Sequence, residues 1–177
     1  MIKKILVALD GSTQAGKALD VAVDMTKAFA AELLAIHVTS DKPLTEGESR
    51  LAESECQADV LQALKGSGLL ADSAVTQATA EGLMRTSRDV ALVVHTELGR
   101  KILSHAEEDA KRKGVTSVKT ALQDGDPATV IVEVVNKERP DLLVMGSRGL
   151  GGIQGLLMGS VSHKVSHAAS CSVVIVK

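Results

Sequence analysis

The sequence predicts an α/β domain built on parallel strands that are buried on both faces. Three short runs are apolar throughout, Ile5–Leu9, Leu142–Met145 and Val173–Val176, and a fourth, Leu33–Val38, is interrupted by His37 alone. Such runs suit strands covered by helices on either side. Between them lie segments whose apolar residues recur at helical spacing. The 177 residues fit one domain, and 45% of them are hydrophobic with a single aromatic, Phe29. A chain of this length buries roughly 70% of its unfolded surface, so it needs neither disulfides nor a metal, and its core must be aliphatic.

The first strand ends at Asp10-Gly11-Ser12, where Ser12 or Thr13 can cap a helix. Ala15, Ala18, Leu19, Ala22, Val23 and Phe29 then mark its buried face. Leu33–Val38 completes a βαβ unit, whose crossover is right-handed. Residues 41–97 are less regular. Residues 48–65 read as one helix, with Leu51, Ala58, Leu61 and Leu64 near one face, ended by Gly66-Ser67-Gly68. Residues 69–86 show no clean period. Residues 89–113 fit a long helix through Val90, Val94, Leu98, Ile102, Ala106 and Ala110. Val90–Val94 fits a strand equally well. Lys111, Arg112 and Lys113 suit a helix C-terminus, with Gly114 at C′.

Regular alternation then returns. Val118–Leu122 reads as a strand. Asp126-Pro127 reads as an N-cap with proline at N1, and Val130, Ile131 and Val134 face the sheet. Arg139-Pro140 ends that helix. The strand Leu142–Met145, a last helix over residues 160–169 and the closing strand Val173–Val176 follow.

Composition excludes several functions. The net charge is -2, which gives no basic field for a nucleic acid or an anionic membrane. Bases would also lack the aromatic platforms that single-strand binders use. Residues 41–97 carry ten acidic and five basic side chains, so an anionic ligand is expected on the flanking parts. Cys56 and Cys171 form no CxxC and suit reduced thiols. No apolar run approaches a membrane span, and the N-terminal apolar stretch is short for a signal peptide. A cytoplasmic protein is expected.

The chemistry concentrates after the fourth strand. Gly146 to Gly159 holds six glycines in fourteen residues and leads into a helix at Ser160. Glycine lets a ligand approach backbone N–H groups closely. A helix N-terminus adds free donors and partial positive charge, so the segment suits an anion such as phosphate. It is neither a GxxxxGK(S/T) loop nor the GxGxxG of a first strand. Asp10 and Gly146 each end a strand, so both can border the crevice at strand C-terminal ends.

Gly146-x-x-Gly149, nine residues, then Gly159-Ser160 resembles the G-2x-G-9x-G-S/T pattern of ATP-binding universal stress proteins. The opening Ile5–Ser12, Ile36-His37-Val38, Gly125-Asp126-Pro127, Asp141–Ser147 and Cys171–Val176 agree with it. The resemblance covers about residues 1–40 and 98–177. It implies a Rossmann-like open sheet of five parallel strands, ordered 3-2-1-4-5, in a homodimer paired through Val173, Val174, Ile175 and Val176. It also implies that Asp10 bonds a ribose and that the Val38 backbone reads adenine between Ala8 and Met145. Gly146, Gly149, Gly159, Ser160 and Val161 would hold the phosphates. Arg148, between the first two glycines, can add positive charge there. The departure is residues 41–97, a longer connection than the family's and an insertion in a single domain.

The resulting expectation is a stress-response or signalling protein with ATP, or ADP or AMP, as the regulatory ligand of a dimer. Magnesium would be held through the phosphates, since Mg²⁺ takes few protein ligands. The alternatives are a slow ATPase or nucleotidyl or phosphoryl transferase, and a nucleotide-independent module acting through residues 41–97. No catalytic residue is assigned. Ser160 and His163 lack an orienting acid. His163 and His167 supply two ligands where structural zinc takes four. His37 reads as a hydrogen-bonded histidine at a strand end, and Asp10 as a ligand contact rather than a helix cap.

Overall fold

A computed structural model describes residues 1–40, 42–67, 80–151 and 158–177, with the side chains of residues 80–87 left aside. The residues 69–79 that showed no period lie outside the described residues, as does the middle of the glycine segment at 152–157.

The chain runs β1 (Lys4–Ala8), α1 (Thr13–Phe29), β2 (Glu32–Thr39), α2 (Glu46–Glu55), α3 (Gln57–Gly66), α4 (Ala80–Arg112), β3 (Val118–Asp124), α5 (Pro127–Glu138), β4 (Leu142–Gly146), α6 (Ser160–Ala168) and β5 (Ser172–Val176). The five strands form one parallel sheet in the order β3-β2-β1-β4-β5. The order reverses at β1 and β4, whose C-terminal ends, Ala8 and Met145, lie side by side in register.

Alternation along the strands explains the all-apolar runs. Ile5 and Val7 of β1 join Val144 under α1 and α4, while Leu6 joins Leu143 and Met145 under α5 and α6. Ile5, Leu6, Val7, Leu143 and Val144 are wholly buried. At about 25 cal/mol per Å² of apolar surface, these two layers supply most of the driving force.

Helix boundaries follow local chemistry. The Ser12 hydroxyl accepts from the Ala15 N–H and caps α1, and Asp126 accepts from the Thr129 N–H and caps α5 ahead of Pro127. Those bonds hold the Asp126 carboxyl below its ordinary value. Beyond α4, Gly114 takes φ +91°, the left-handed turn foreseen for C′.

Two expectations need correction, one at Phe29 and one in residues 48–65. Phe29 closes α1 but is 45% exposed, because the chain turns at Ala30, in the left-handed region, before the side chain reaches the sheet. In α5 Val130 and Ile131 are buried and Val134 packs half-buried against the same core, as expected, with Val135 buried beside them. Of the two readings open for residues 90–94 the helix holds, as part of α4. Residues 48–65 form two helices, because Cys56 leaves helical geometry at φ -138°. Leu64 is buried as expected, but Ala58 and Leu61 are exposed, and Ala52, Cys56 and Val60 complete the inward row with it. Ala52 and Cys56 pack with Val94 and Leu98, a satellite core that fastens the middle of the chain onto α4.

Candidate functional site

The C-terminal ends of β1, β2 and β4 open into a cleft of about 400 Å³, within the usual range for a small-ligand site. Ala8, Asp10, Val38, Met145, Gly146, Arg148, Gly149, Gly159, Ser160 and Val161 all line it. The sequence therefore named ten residues that the fold brings to one cavity, although they are spread from residue 8 to residue 161.

Asp10 does not cap α1. One carboxylate oxygen accepts from the Ser12 N–H at 3.0 Å and the other from the Leu150 N–H at 3.1 Å. The side chain thus ties the end of β1 to the glycine segment 140 positions away. Gly149 permits this approach, since a Cβ there would lie 2.1 Å from the Asp10 carboxylate. Gly146 is constrained differently: a Cβ would come within 2.9–3.1 Å of Gln14 and Ala15 at the start of α1. Gly159 has room, for its nearest neighbours to a Cβ are at 3.5 Å. A glycine there is not required by packing.

Gly159 is also the N-cap of α6, where no side chain bonds the first-turn N–H groups. Ser160, Val161 and Ser162 of that turn border the cleft. The Ser162 hydroxyl donates to the Ser147 and Gly159 carbonyls at 2.8 and 3.0 Å, and the Gly159 N–H donates to the Ser147 carbonyl at 2.7 Å. These bonds pin the helix start against the end of β4. Arg148 is half-buried, and its Nε is enclosed with no hydrogen-bond partner among the described residues. A guanidinium without a partner beside uncapped N–H groups is an arrangement that suits an anion.

The other end of the cleft is aliphatic, with Ala8, Ile36, Val38, Ile131 and Met145 and no aromatic ring but His37. His37 Nδ1–H donates to the Leu9 carbonyl at 2.8 Å, as expected of a satisfied histidine, and burial holds its pKa below the ordinary 6.5.

Sequence reasoning missed one wall. Ser40, Thr45 and Glu48 also border the cleft. Thr45 caps α2 in a reciprocal box with Glu48, and Gly47 packs so closely on Leu150 that a Cβ would sit 2.6 Å from its carbonyl oxygen. The Thr45-x-x-Glu48 spacing is a capping-box signature and was the available signal. The contact with Leu150 had none. Beyond this wall a second chamber of about 300 Å³ continues past Lys42, His95, Asp126 and Lys164.

Elsewhere, the exposed His163 and His167 rings of α6 meet at a tilt of 57°, with centroids 4.7 Å apart. Among the described residues no three His, Cys, Asp or Glu side chains are grouped to hold a metal ion. Cys56 and Cys171 are free thiols whose pKa burial raises. No helix among the described residues is long and apolar enough to cross a membrane.

With this geometry in view, the comparisons with known proteins are specific. The family model described as "Universal stress protein family" matches residues 1–177. Universal stress protein YxiE of Bacillus subtilis is 32% identical over 180 aligned residues, covering 100% of both chains. A crystal structure of a universal stress protein in complex with cAMP superposes with TM-score 0.61 at 26% identity, covering 99% of this chain and 97% of that one. A universal stress protein from Archaeoglobus fulgidus in complex with dAMP superposes with TM-score 0.57 and covers 100% of both chains; at 17% identity it speaks to the fold alone. The chain belongs to the universal stress protein family.

Proposed function

We propose, with membership of that family as the premise, that the cleft binds an adenine nucleotide. The observation that supports this most is the meeting of Arg148, the uncapped start of α6 and the glycine pattern at one end of an otherwise aliphatic cavity. Adenine packs between Ala8, Val38 and Met145, with the Val38 backbone giving hydrogen bonds in place of aromatic stacking. The ribose lies by Asp10, whose carboxylate keeps acceptor capacity beyond its two backbone bonds. The phosphates lie against Gly146, Gly149, Gly159, Ser160 and Val161, with Arg148 as counter-charge. ATP, ADP or AMP fits this order, with magnesium carried on the phosphates. That the related structure binds cAMP is consistent with an adenine nucleotide as ligand.

The nucleotide acts as a regulatory ligand of a dimer in the cytoplasm. Among the described residues β5 is an edge strand bonded to β4 alone, and an open apolar edge invites a second copy. Pairing through Val173, Val174, Ile175 and Val176 covers it.

The test is thermal unfolding with and without nucleotide. Ligand at about 100 times its Kd stabilises by about 2.7 kcal/mol, which raises Tm by several degrees in a domain of this size. Gly159→Val has space to fold and puts bulk against the phosphates, so its own Tm holds while the ligand-induced rise disappears. An unchanged wild-type Tm at millimolar ATP, ADP, AMP and cAMP would refute the reading.

A further inference from the structure

We propose that His95, far from the glycine pattern, is the positioning residue for the Lys42–Glu48 wall of the cleft, and that its protonation draws that wall closed.

The argument starts from hydrogen-bond chemistry. His95 lies on α4 and is 3% exposed. Its Nε2 is 3.1 Å from the Lys42 carbonyl oxygen. A carbonyl only accepts, so Nε2 carries the proton. In the neutral ring Nδ1 is then a bare lone pair, and it faces the Glu48 carboxylate at 3.8 Å. That is too long for a hydrogen bond, and two acceptors repel. Protonation turns the same contact into an ion pair in a place with little water. The wall is thus held at one point when His95 is neutral, and at two when it is charged.

Glu48 is built to transmit the change. Its other oxygen accepts from the Thr45 N–H and hydroxyl at 2.7 Å each, so pulling Glu48 moves the start of α2. That start carries Gly47, pressed on the Leu150 backbone. Leu150 donates to Asp10, so the movement reaches the glycine segment.

The charged groups around His95 come from every neighbouring element. The chamber beside it is bordered by Glu48 of α2, Asp126 ahead of α5, Lys42, and Lys164 of α6. On α4 itself Glu97 is paired with Arg100. His37 of β2 would compete if charged, but burial keeps it neutral at the pH where an ordinary histidine gains its proton. Glu48 is the only one of these groups in direct charge contact with the ring among the described residues.

The effect on ligand affinity rests on the nucleotide reading, so the experiment includes a readout without ligand. The first measurement is equilibrium titration with cAMP, whose phosphodiester keeps one charge across the range, from pH 8 to pH 5.5. Wild type should bind about three- to tenfold more tightly at the acid end, the scale of one partly buried charge contact. His95→Gln keeps an amide donor for the Lys42 carbonyl, and Glu48→Gln keeps the cap on Thr45. Both should be flat with pH. The second measurement is hydrogen exchange at the Glu48 and Ser49 amides of unliganded protein, corrected for the intrinsic pH dependence. Protection should rise on acidification in wild type and in neither variant. Flat protection and flat affinity in wild type would overturn the proposal, and so would a pH dependence that survives in His95→Gln. Protection that follows pH in a protein that binds no nucleotide would uphold His95 and sink the nucleotide reading instead.

Discussion

The cleft has two walls of unlike construction. One is the sheet: the ends of β1 and β4, the glycine segment and α6, set on residues with no exposure and joined by backbone bonds. The other is Lys42–Glu48 with α2, which meets the first through Gly47 on the Leu150 carbonyl, is braced internally by one capping box and is held to α4 by one histidine. The first rests on a two-layer core and the second on a satellite cluster. Elements with few buried apolar contacts open at lower cost than core elements. A fixed wall that offers donors and a second wall that opens at lower cost follow from where the apolar residues lie.

The largest effect should separate the two cores. Leu6→Ala removes a wholly buried side chain beneath α5 and should cost about 2–5 kcal/mol in denaturant unfolding. Leu51→Ala, half-buried on α2, should cost about 1 kcal/mol or less. Equal losses would erase the distinction between the walls.

Next comes the tie between β1 and the glycine segment. Gly149→Ala forces the Asp10 carboxylate aside and should cost about 1–3 kcal/mol, as overpacking does. Adding Asp10→Ala should remove most of that loss, a coupling seen in a double-mutant cycle. Additive losses would mean that the clash is relieved elsewhere.

A smaller effect belongs to the second wall. Thr45→Ala removes the α2 cap, worth about 1 kcal/mol. The loss should appear as faster hydrogen exchange within α2, with global unfolding nearly unchanged. A matching drop in global stability would show that α2 unfolds only with the sheet.

The smallest is a slope. Burial lowers the His37 pKa from 6.5, so the unfolded chain takes up a proton first as pH falls. Stability from this group is therefore complete above about pH 6.5 and is lost below it, down to the folded value. His37→Asn keeps a donor for the Leu9 carbonyl and should flatten stability against pH below 6.5. An unchanged slope would place the acid sensitivity elsewhere.

How much was legible follows the same division. The first wall uses period, caps and glycine spacing, all local in sequence. Ser12, Asp126, Gly114 and the strand order implied by the family resemblance were therefore readable. The second wall depends on meetings between distant segments: Gly47 with Leu150, Lys42 with His95, Cys56 with Val94. None leaves a periodic trace. Phe29 misled because spacing alone cannot show that a helix turns away before its last apolar residue reaches the core. Residues 48–65 misled because two apolar rows fit the spacing, and the inward one is Ala52, Cys56, Val60 and Leu64.

The central claim is that the cleft at the ends of β1 and β4 is the nucleotide site, closed by the second wall. Hydrogen exchange read amide by amide, with and without saturating adenine nucleotide, tests it most directly. The expected result is slowed exchange at Gly149, Leu150, Ser160 and Val161 together with Glu48 and Ser49 of α2. Protection confined to another surface, or none at a concentration that saturates binding, would contradict it.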